Sequence, residues 1–217
     1  MNSKTKKLTA VAMLAAIAYV VMFVGRIPIS SVDFLKYDPK DVIITIGGFI
    51  YGPLTSLAIS LVVSLVEMLT VSTTGIIGAL MNVVSTVSFA CTASLVYKRK
   101  RTALGAVLGL TLGVILATAL MLLWNYFITP LYMLQPREVI ASMLLPVFLP
   151  FNLLKCGLNM AITLLLYKPI VTAMRRAKLV DASSSQGSKG RAFGITVFSL
   201  ILLVTLVMIV LIIRKVI

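Results

Sequence analysis

The chain has 217 residues, of which 60% are hydrophobic and 12% are charged, and its mean hydropathy is +1.09. A soluble domain does not need so much apolar sequence, so this composition predicts an all-α integral membrane protein. The formal net charge of +14 does not indicate nucleic-acid binding, because the basic residues cluster at the ends of apolar segments, where membrane orientation requires them. The sequence contains no histidine, which excludes His-based metalloprotease motifs.

Apolar segments that are long enough, or nearly long enough, to span a membrane follow one another along the chain. They cover residues 8–24, 42–51, 54–70, 76–97, 103–128, 142–167 and 192–213. Segments 42–51 and 54–70 are short, and the turn signal Tyr51-Gly52-Pro53 separates them. These two segments form either two short helices or one kinked helix.

Charge parity favours two helices. The positive-inside rule places the basic clusters 4–7, 98–101 and 175–178 in the cytoplasm, so an even number of spans must separate each cluster from the next. A break at Gly52-Pro53 gives four spans before the second cluster and two more before the third. We therefore expect a six-span core over residues 1–179 of a cell-membrane protein whose N-terminus is cytoplasmic.

The C-terminal part of the chain has a different composition. Residues 180–191 are rich in Ser and Gly and predict a flexible linker. The last segment, 192–217, contains an apolar run at 192–213 that is long enough for one extra transmembrane helix. That helix would place the C-terminus outside, which Arg214 and Lys215 weakly oppose, so a helix that lies at the membrane interface is the alternative.

Lys155 is the most informative polar residue, because it lies inside an apolar segment. A lysine at membrane depth is costly and usually faces a wet cavity or the interior of a helix bundle. The alternative is that its long side chain snorkels to the interface. Asn152 and Asn159 share a helix face with Lys155, at spacings of i, i+3 and i+7. This stripe is typical of the wall of a polar pocket.

Several helices carry a polar residue at about the same predicted depth, in the outer half of the membrane. These residues are Glu67, Asn82, Asn125, Asn152 and Lys155. Their common depth predicts a pocket that opens to the outside. Each asparagine has a simpler alternative as a hydrogen bond between helices, worth on the order of 1 kcal/mol, and Glu67 has one as a structural partner of Lys155.

The loop 25–41 is expected to lie on the outer side. It combines charges of both signs with apolar and aromatic residues, among them Leu35 and Tyr37, as a lid over an amphiphilic ligand would. An ordinary solvated loop is the alternative. The outer loops that carry Thr74 and residues 129–136 would complete the rim of the pocket.

Two stretches resemble a known family. Leu35-Lys-Tyr-Asp38-Pro-Lys-Asp41, which runs into Ile46-Gly-Gly-Phe-Ile-Tyr-Gly52-Pro53, and Pro150-Phe-Asn152-Leu-Leu-Lys155 resemble the substrate-binding S components of energy-coupling factor (ECF) vitamin transporters, specifically the riboflavin type. The resemblance covers about residues 5–180. It implies a six-helix core that captures vitamin on the outer side and docks on a transmembrane coupling protein, which two cytoplasmic ATPase subunits drive.

The resemblance also implies roles for particular residues. Asn125, Asn152 and Lys155 would hold the polar edge of the isoalloxazine ring, apolar side chains would cover the ring, and outer loops would enclose the ribityl chain. The further candidate substrate-binding residues are Glu67, Asn82, Leu35, Tyr37 and Thr74. Riboflavin would be the transported ligand, and we expect no cofactor.

Ala12 and Ala16 are the candidate docking residues. In the family that the chain resembles, small residues spaced by four on the first helix pack against the transmembrane partner, and such a spacing lets two helices approach closely. Packing inside the core is the alternative. No Walker motif occurs in the chain, so a partner would have to hydrolyse any ATP.

Three other functions stay open at this point. The first is an S component for another vitamin, since the polar pocket alone does not name its ligand. The second is a membrane enzyme that acts on a lipid, with Glu67 or the pair Asp38 and Asp41 as acid–base groups; the lack of a second carboxylate within the spans disfavours it, and we expect no enzyme. The third is a structural membrane protein that assembles with partners.

Overall fold

The computed structural model describes residues 3–30, 32, 34–179 and 189–213, and these residues form a helical bundle. The helices are α1 (Ser3–Gly25), α2 (Lys40–Tyr51), α3 (Pro53–Thr70), α4 (Gly75–Lys100), α5 (Ala103–Phe127), α6 (Thr129–Met133), α7 (Arg137–Met143), α8 (Leu149–Arg176) and α9 (Lys189–Ile213). A π-helical turn, Leu144–Phe148, joins α7 to α8. The loop after α1 contains one short antiparallel pair, β1 (Ile27–Pro28) with β2 (Lys36–Tyr37). Apart from this pair, the all-α prediction is confirmed.

The chain breaks between α2 and α3, so the prediction of two helices there is confirmed. Gly52 has a φ of +98°, a conformation that favours glycine, and Pro53 occupies the start of α3, where a missing backbone N–H does no harm. α2 has 12 residues and is therefore about 18 Å long, shorter than a membrane span.

Six helical segments within the described residues are long and apolar enough to cross a membrane. They are Lys4–Gly25, Pro53–Thr70, Gly75–Lys100, Ala103–Phe127, Arg137–Met174 and Phe193–Ile213. The fifth extends well beyond the predicted 142–167, because the π-helical turn continues α7 into α8 and Pro169 does not end α8. The sixth is the extra C-terminal helix, and α2 is absent from the set.

α2 lies at the centre of the bundle. Ten of its 12 residues are buried, and it packs against α1, α3, α4 and α8. Gly48 allows the closest approach, since a Cβ atom there would lie 2.9 Å from Ser94 Cβ and would also overlap Ser56 Oγ. On the same helix, Ile44 is fully buried in the apolar core. Surrounding protein therefore replaces lipid around this short helix.

The three basic clusters of the sequence lie at one end of the bundle. Tyr51, at the end of α2, has Lys7 Nζ 5.9 Å from the centre of its ring and donates a hydrogen bond to the Leu179 carbonyl over 3.0 Å. A Cβ atom at the adjacent Gly52 would lie 3.9 Å from Lys98 Cδ. The arrangement that charge parity requires is therefore present, whereas the cytoplasmic location of this end stays a prediction.

α9 packs mainly along α8, also contacts α5 and is otherwise open to its surroundings. Leu206 lies close to Gly157, where a Cβ atom would be 3.0 Å from Leu206 Cδ1. Leu203 and Val210 also pack against apolar residues of the α8 region. Only 6% of the span Phe193–Ile213 is buried. Residues 180–188 of the predicted linker lie outside the described residues, and the predicted division of the chain stays a prediction.

Candidate functional site

The last part of the loop between α1 and α2 enters the bundle. Asp38, Lys40 and Asp41 are 2%, 0% and 1% exposed, and Glu67 of α3 is 1% exposed. The alternative of an ordinary solvated loop is therefore wrong for this part of residues 25–41, whereas the lid over a ligand stays a prediction. Four charged groups cannot be buried together cheaply unless they pair with one another or with other polar groups.

Glu67 joins the ends of three helices. One carboxylate oxygen accepts a hydrogen bond from the guanidinium of Arg26, which directly follows α1. The other accepts a hydrogen bond over 2.6 Å from Nζ of Lys40, the first residue of α2. The suggested structural pair of Glu67 with Lys155 is thus replaced by pairs with Arg26 and Lys40.

Lys155 pairs with Asp38 instead. Its Nζ lies 3.8 Å from Asp38 Oδ2, and Lys40 Nζ lies 3.7 Å from the same oxygen. The Lys155 side chain is 7% exposed. It therefore points into the bundle and does not snorkel along the outer surface of the protein.

Asp41 completes the charge cluster. Its carboxylate accepts a hydrogen bond from Thr86 of α4 over 2.6 Å and another from the Asn159 amide of α8 over 3.4 Å. Tyr37 in turn donates to Asn159 Oδ1 over 3.1 Å. The charge cluster therefore consists of three basic and three acidic residues. They are Arg26, Lys40, Lys155, Asp38, Asp41 and Glu67.

The surroundings of the loop groups set their protonation states. Burial alone would raise the pKa of Asp38, but Lys40, Lys155 and Arg26 together outweigh burial and hold the pKa below its ordinary value. Burial raises the pKa of Tyr37 far above its ordinary value, and the negative charges of the neighbouring aspartates add to the effect. At neutral pH, Asp38 is therefore a carboxylate and the Tyr37 phenol remains a hydrogen-bond donor.

A cavity opens beside the charge cluster, at the end of the bundle opposite the basic clusters. The empty space within it and at its open mouth amounts to about 560 Å³. Its lining combines charged, hydroxyl and apolar side chains. The lining residues are Arg26, Phe34, Leu35, Lys36, Asp38, Glu67, Val71, Ser72, Thr73, Thr74, Gly78, Met81, Asn82, Phe151 and Lys155.

The cavity brings together five of the eight predicted substrate-binding residues. They are Leu35, Glu67, Thr74, Asn82 and Lys155. They come from the first loop, from α3 and the loop that follows it, and from α4 and α8. The predicted convergence of polar groups from several helices is therefore present at this cavity, and their binding roles stay predictions.

The other three predicted residues stand behind the cavity wall. Asn125 Oδ1 accepts a hydrogen bond over 2.9 Å from Thr129. Thr129 also lines a smaller neighbouring cavity of about 250 Å³. The Asn152 amide donates over 2.7 Å to the Phe148 carbonyl at the end of the π-helical turn, and Tyr37 bonds to Asn159 as described above. Their roles as ligand-binding residues also stay predictions.

Four members of the charge cluster are missing from the set of substrate-binding residues predicted from the sequence. Arg26 and Asp38 line the cavity, while Lys40 and Asp41 support it from behind. A signal was present, because three charges occur in the four residues that directly precede the apolar segment 42–51. Charges so close to a span require partners if the helix starts inside the bundle.

The candidate docking residues lie on the outside of α1. Ala12 and Ala16 are exposed, whereas Leu14 and Ala18 belong to the core. The alternative that Ala12 and Ala16 pack inside the core is therefore wrong. An exposed pair of small residues four positions apart is compatible with close contact to another helix.

No group of three or more His, Cys, Asp or Glu side chains in the described part of the chain is arranged to hold a metal ion. Both cysteines, Cys91 and Cys156, are free thiols. The lining of the cavity offers hydrogen bonding and ion pairing next to apolar surface.

Comparisons with known proteins agree on one family. The family model described as "ECF transporter, substrate-specific component" matches residues 6–167. The riboflavin transporter RibU of Staphylococcus aureus (strain TCH60) is 31% identical over 180 residues, which cover 80% of this chain and 94% of that protein. The riboflavin transporter FmnP of Bacillus subtilis (strain 168) is 30% identical over 161 residues, which cover 70% and 85% respectively.

A solved structure extends the agreement to three dimensions. The S component of a bacterial ECF transporter superposes on this chain with a TM-score of 0.68 at 30% sequence identity, and the match covers 80% of this chain and 99% of that one. The part of this chain beyond the match agrees in size with a linker and one added helix. Since the family model covers most of the chain, the protein belongs to the family of substrate-specific components (S components) of ECF transporters.

Proposed function

We propose that this S component binds riboflavin with high affinity as a subunit of an ECF-type uptake transporter. The main observation in support of this proposal is the cavity of charged, hydroxyl and apolar groups opposite the basic end of the bundle. The names of two relatives, both riboflavin transporters, support the choice of vitamin. Riboflavin is the transported ligand in this proposal, and the subunit is not an enzyme and needs no cofactor.

The composition of the cavity suits the two halves of riboflavin. Phe34, Met81 and Phe151 supply apolar surface for the isoalloxazine ring, which is flat and largely apolar. Lys155 supplies a cationic donor for a carbonyl or nitrogen at the polar edge of the ring. The hydroxyl groups of Ser72, Thr73 and Thr74 lie in the loop after α3 and suit the hydroxyl groups of the ribityl chain. Thr73 is exposed, so this loop forms the rim.

Asn125 and Asn152 have only part of their hydrogen-bonding capacity left for the ring. Both amides already bond within the chain, to Thr129 and to the Phe148 carbonyl. An asparagine amide has two donors and an acceptor, so each can still bond to the ring. Asn125 would do so through its amide nitrogen, because Thr129 occupies its oxygen, and Asn152 through its oxygen or its second N–H.

Coupling to ATP hydrolysis requires partners. We infer that the exposed face of α1 at Ala12 and Ala16 docks on a transmembrane coupling protein, and that two cytoplasmic ATPase subunits drive that protein. The basic end of the bundle, with the N-terminus, faces the cytoplasm in this arrangement, and the cavity faces the outside.

Riboflavin titration of the purified protein in detergent tests the proposal. Quenching of flavin fluorescence should saturate at one riboflavin per chain, and protein purified from cells should carry the yellow chromophore. Thiamine and biotin, added in excess as competitors, should not displace it. A folded protein that binds another vitamin but not riboflavin would overturn the choice of ligand, and one that binds none of them would overturn the proposal.

A further inference from the structure

The cavity contains a carboxylate oxygen whose hydrogen-bonding capacity is unused. Asp38 Oδ1 is buried and has no hydrogen-bond partner within residues 3–30, 32, 34–179 and 189–213, although Asp38 lines the cavity and is only 2% exposed. A buried, ionised oxygen without a donor is costly. A ligand with a donor group at this point would remove that cost when it binds.

The other carboxylate of the cavity has a donor at both of its oxygens. Each oxygen of Glu67 already accepts a hydrogen bond, one from Arg26 and one from Lys40. Asp38 is therefore the carboxylate on the cavity wall that is ready to accept a new donor. Both oxygens of Glu67 are thus held by residues of the bundle, whereas one oxygen of Asp38 is left for a ligand.

Asp38 stands next to a cationic donor. Lys155 Nζ lies 3.8 Å from Asp38 Oδ2, and both residues line the cavity. At 2% and 6% exposure they lie at its floor, whereas the hydroxyl groups of the loop after α3 lie at its rim. The floor thus presents an acceptor and a donor side by side, in a cavity that the apolar side chains of Leu35 and Phe151 also line.

We propose that Asp38 is a specificity-determining residue that accepts a hydrogen bond from the imide N–H of the flavin ring while Lys155 donates to the adjacent carbonyl. An imide places a donor directly beside an acceptor, which complements the carboxylate and ammonium at the floor of the cavity. The ring then enters with its imide edge first, and the flexible polyol stays at the rim. This inference rests on the proposed riboflavin-binding function.

The imide nitrogen can be blocked chemically, which gives a direct test. We would measure the affinities of the wild-type protein and of Asp38→Ala for riboflavin, for 3-methylriboflavin, which has no imide N–H, and for lumiflavin, which keeps the imide but lacks the ribityl chain. The wild-type protein should bind riboflavin about tenfold to a hundredfold more tightly than 3-methylriboflavin. In Asp38→Ala, which removes the acceptor and makes room for the methyl group, that ratio should fall to within about threefold of one.

Lumiflavin identifies which part of the ligand Asp38 recognises. Asp38→Ala should weaken lumiflavin and riboflavin by the same factor, because both carry the imide. A loss of affinity for riboflavin alone would assign Asp38 to a ribityl hydroxyl and overturn the proposal. Glu138→Ala is the matched control, since it removes an exposed carboxylate of α7 and should leave every ratio at the wild-type value.

Two further outcomes keep the test decisive. Equal wild-type affinities for riboflavin and 3-methylriboflavin would overturn the proposal without any variant. If Asp38→Ala does not fold, Asp38→Asn keeps the shape of the side chain and should lower the ratio by a smaller factor, and an unchanged ratio would again contradict the proposal. Failure of the proposed function itself looks different, because the wild-type protein would then bind none of the three flavins.

Discussion

α2 and α9 pack against different faces of α8, and they differ in charge, in hydropathy and in how much protein surrounds them. α2 begins with Lys40 and Asp41 and is the most enclosed helix, whereas α9 has a mean hydropathy of 3.1 over Phe193–Ile213 and is only 6% buried there. Asn159 of α8 bonds to α2, and Gly157, two residues away, contacts α9. In a membrane, lipid solvates an apolar helix, but a charged helix end needs protein around it. High hydropathy here therefore indicates exposure to lipid, and charge indicates burial in protein.

The largest effect is expected where the start of α2 loses its charge. Lys40→Met leaves Glu67 with one of its two cationic partners and removes a neighbour of Asp38. Breaking a buried ion pair on one side costs about 3–5 kcal/mol. Thermal unfolding of the empty protein in detergent should therefore occur at a clearly lower temperature. Lys168→Met, an exposed lysine near the other end of α8, is the control and should melt like the wild type. Equal melting of both variants would show that the charge cluster does not hold α2 in place.

The affinity and the melting temperature of Lys155→Met together distinguish a ligand-binding role of this lysine from a structural role. Lys155→Met keeps the volume of the stem and removes a charge-assisted hydrogen bond worth about 1.5–3 kcal/mol. Riboflavin affinity, measured by fluorescence quenching, should fall about tenfold to a hundredfold. Normal affinity together with a normal melting temperature would remove this residue from the site, and a strongly lowered melting temperature would make its pair with Asp38 mainly structural.

Alanine substitutions at three glycines allow the packing around α2 to be compared with the packing around α9. Gly48→Ala places a methyl group against Ser94 Cβ and Ser56 in the core, which should cost about 1–3 kcal/mol of stability. Gly157→Ala meets only the mobile end of Leu206 and should cost less than about 1 kcal/mol. Gly194→Ala has no atom within 4 Å of its new methyl group and serves as the control. If Gly157→Ala melts at a lower temperature than Gly48→Ala, α9 is the more tightly packed helix.

Substitutions on the exposed face of α1 test whether that face docks on the coupling protein. Changing Ala12 and Ala16 together to Leu should weaken docking on the coupling protein by about tenfold, because overpacking a close helix contact costs on the order of 1–3 kcal/mol. Riboflavin binding by the isolated subunit should be unchanged, since both residues are exposed on α1 and neither lines the cavity. Co-purification with the coupling protein measures the first effect and titration the second. Undiminished co-purification would place the docking face elsewhere.

The smallest effect is expected from removing α9. A chain that stops after Val180 loses contacts to one face of α8, and detergent or lipid can cover the apolar residues that become exposed. Its riboflavin affinity should stay within about twofold of the wild-type value. A folded truncated protein that no longer binds riboflavin would show that α9 supports the site through α8.

Local signals explain what the sequence predicted correctly. Composition reveals the membrane class, Gly52 and Pro53 mark the break between α2 and α3, and the length of the last apolar run predicts α9. The sequence also predicts that Lys155 forms part of a pocket wall, because a lysine inside an apolar segment usually faces a cavity or the bundle interior, and Lys155 does line the cavity.

The rest depends on contacts between distant residues. Asp38 and Lys40 look like residues of a solvated loop, because such side chains are seldom buried; Glu67, 27 residues after Lys40, makes their burial possible. The bond of Asn152 to the Phe148 carbonyl was also missed. Pro146 and Pro150 hint at it, since each removes a backbone donor from the helix, but the π-helical turn that results is set by packing.

The balance of the charge cluster has a consequence for the response to voltage. Three basic and three acidic side chains lie together beside the cavity, so the group carries no formal net charge when all six are ionised. Displacing one elementary charge across the membrane potential changes the energy by about 2.3 kcal/mol per 100 mV. A rotation or tilt of this bundle would move cations and anions together, and riboflavin adds no charge of its own. The free energy of such a movement is therefore almost independent of the membrane potential.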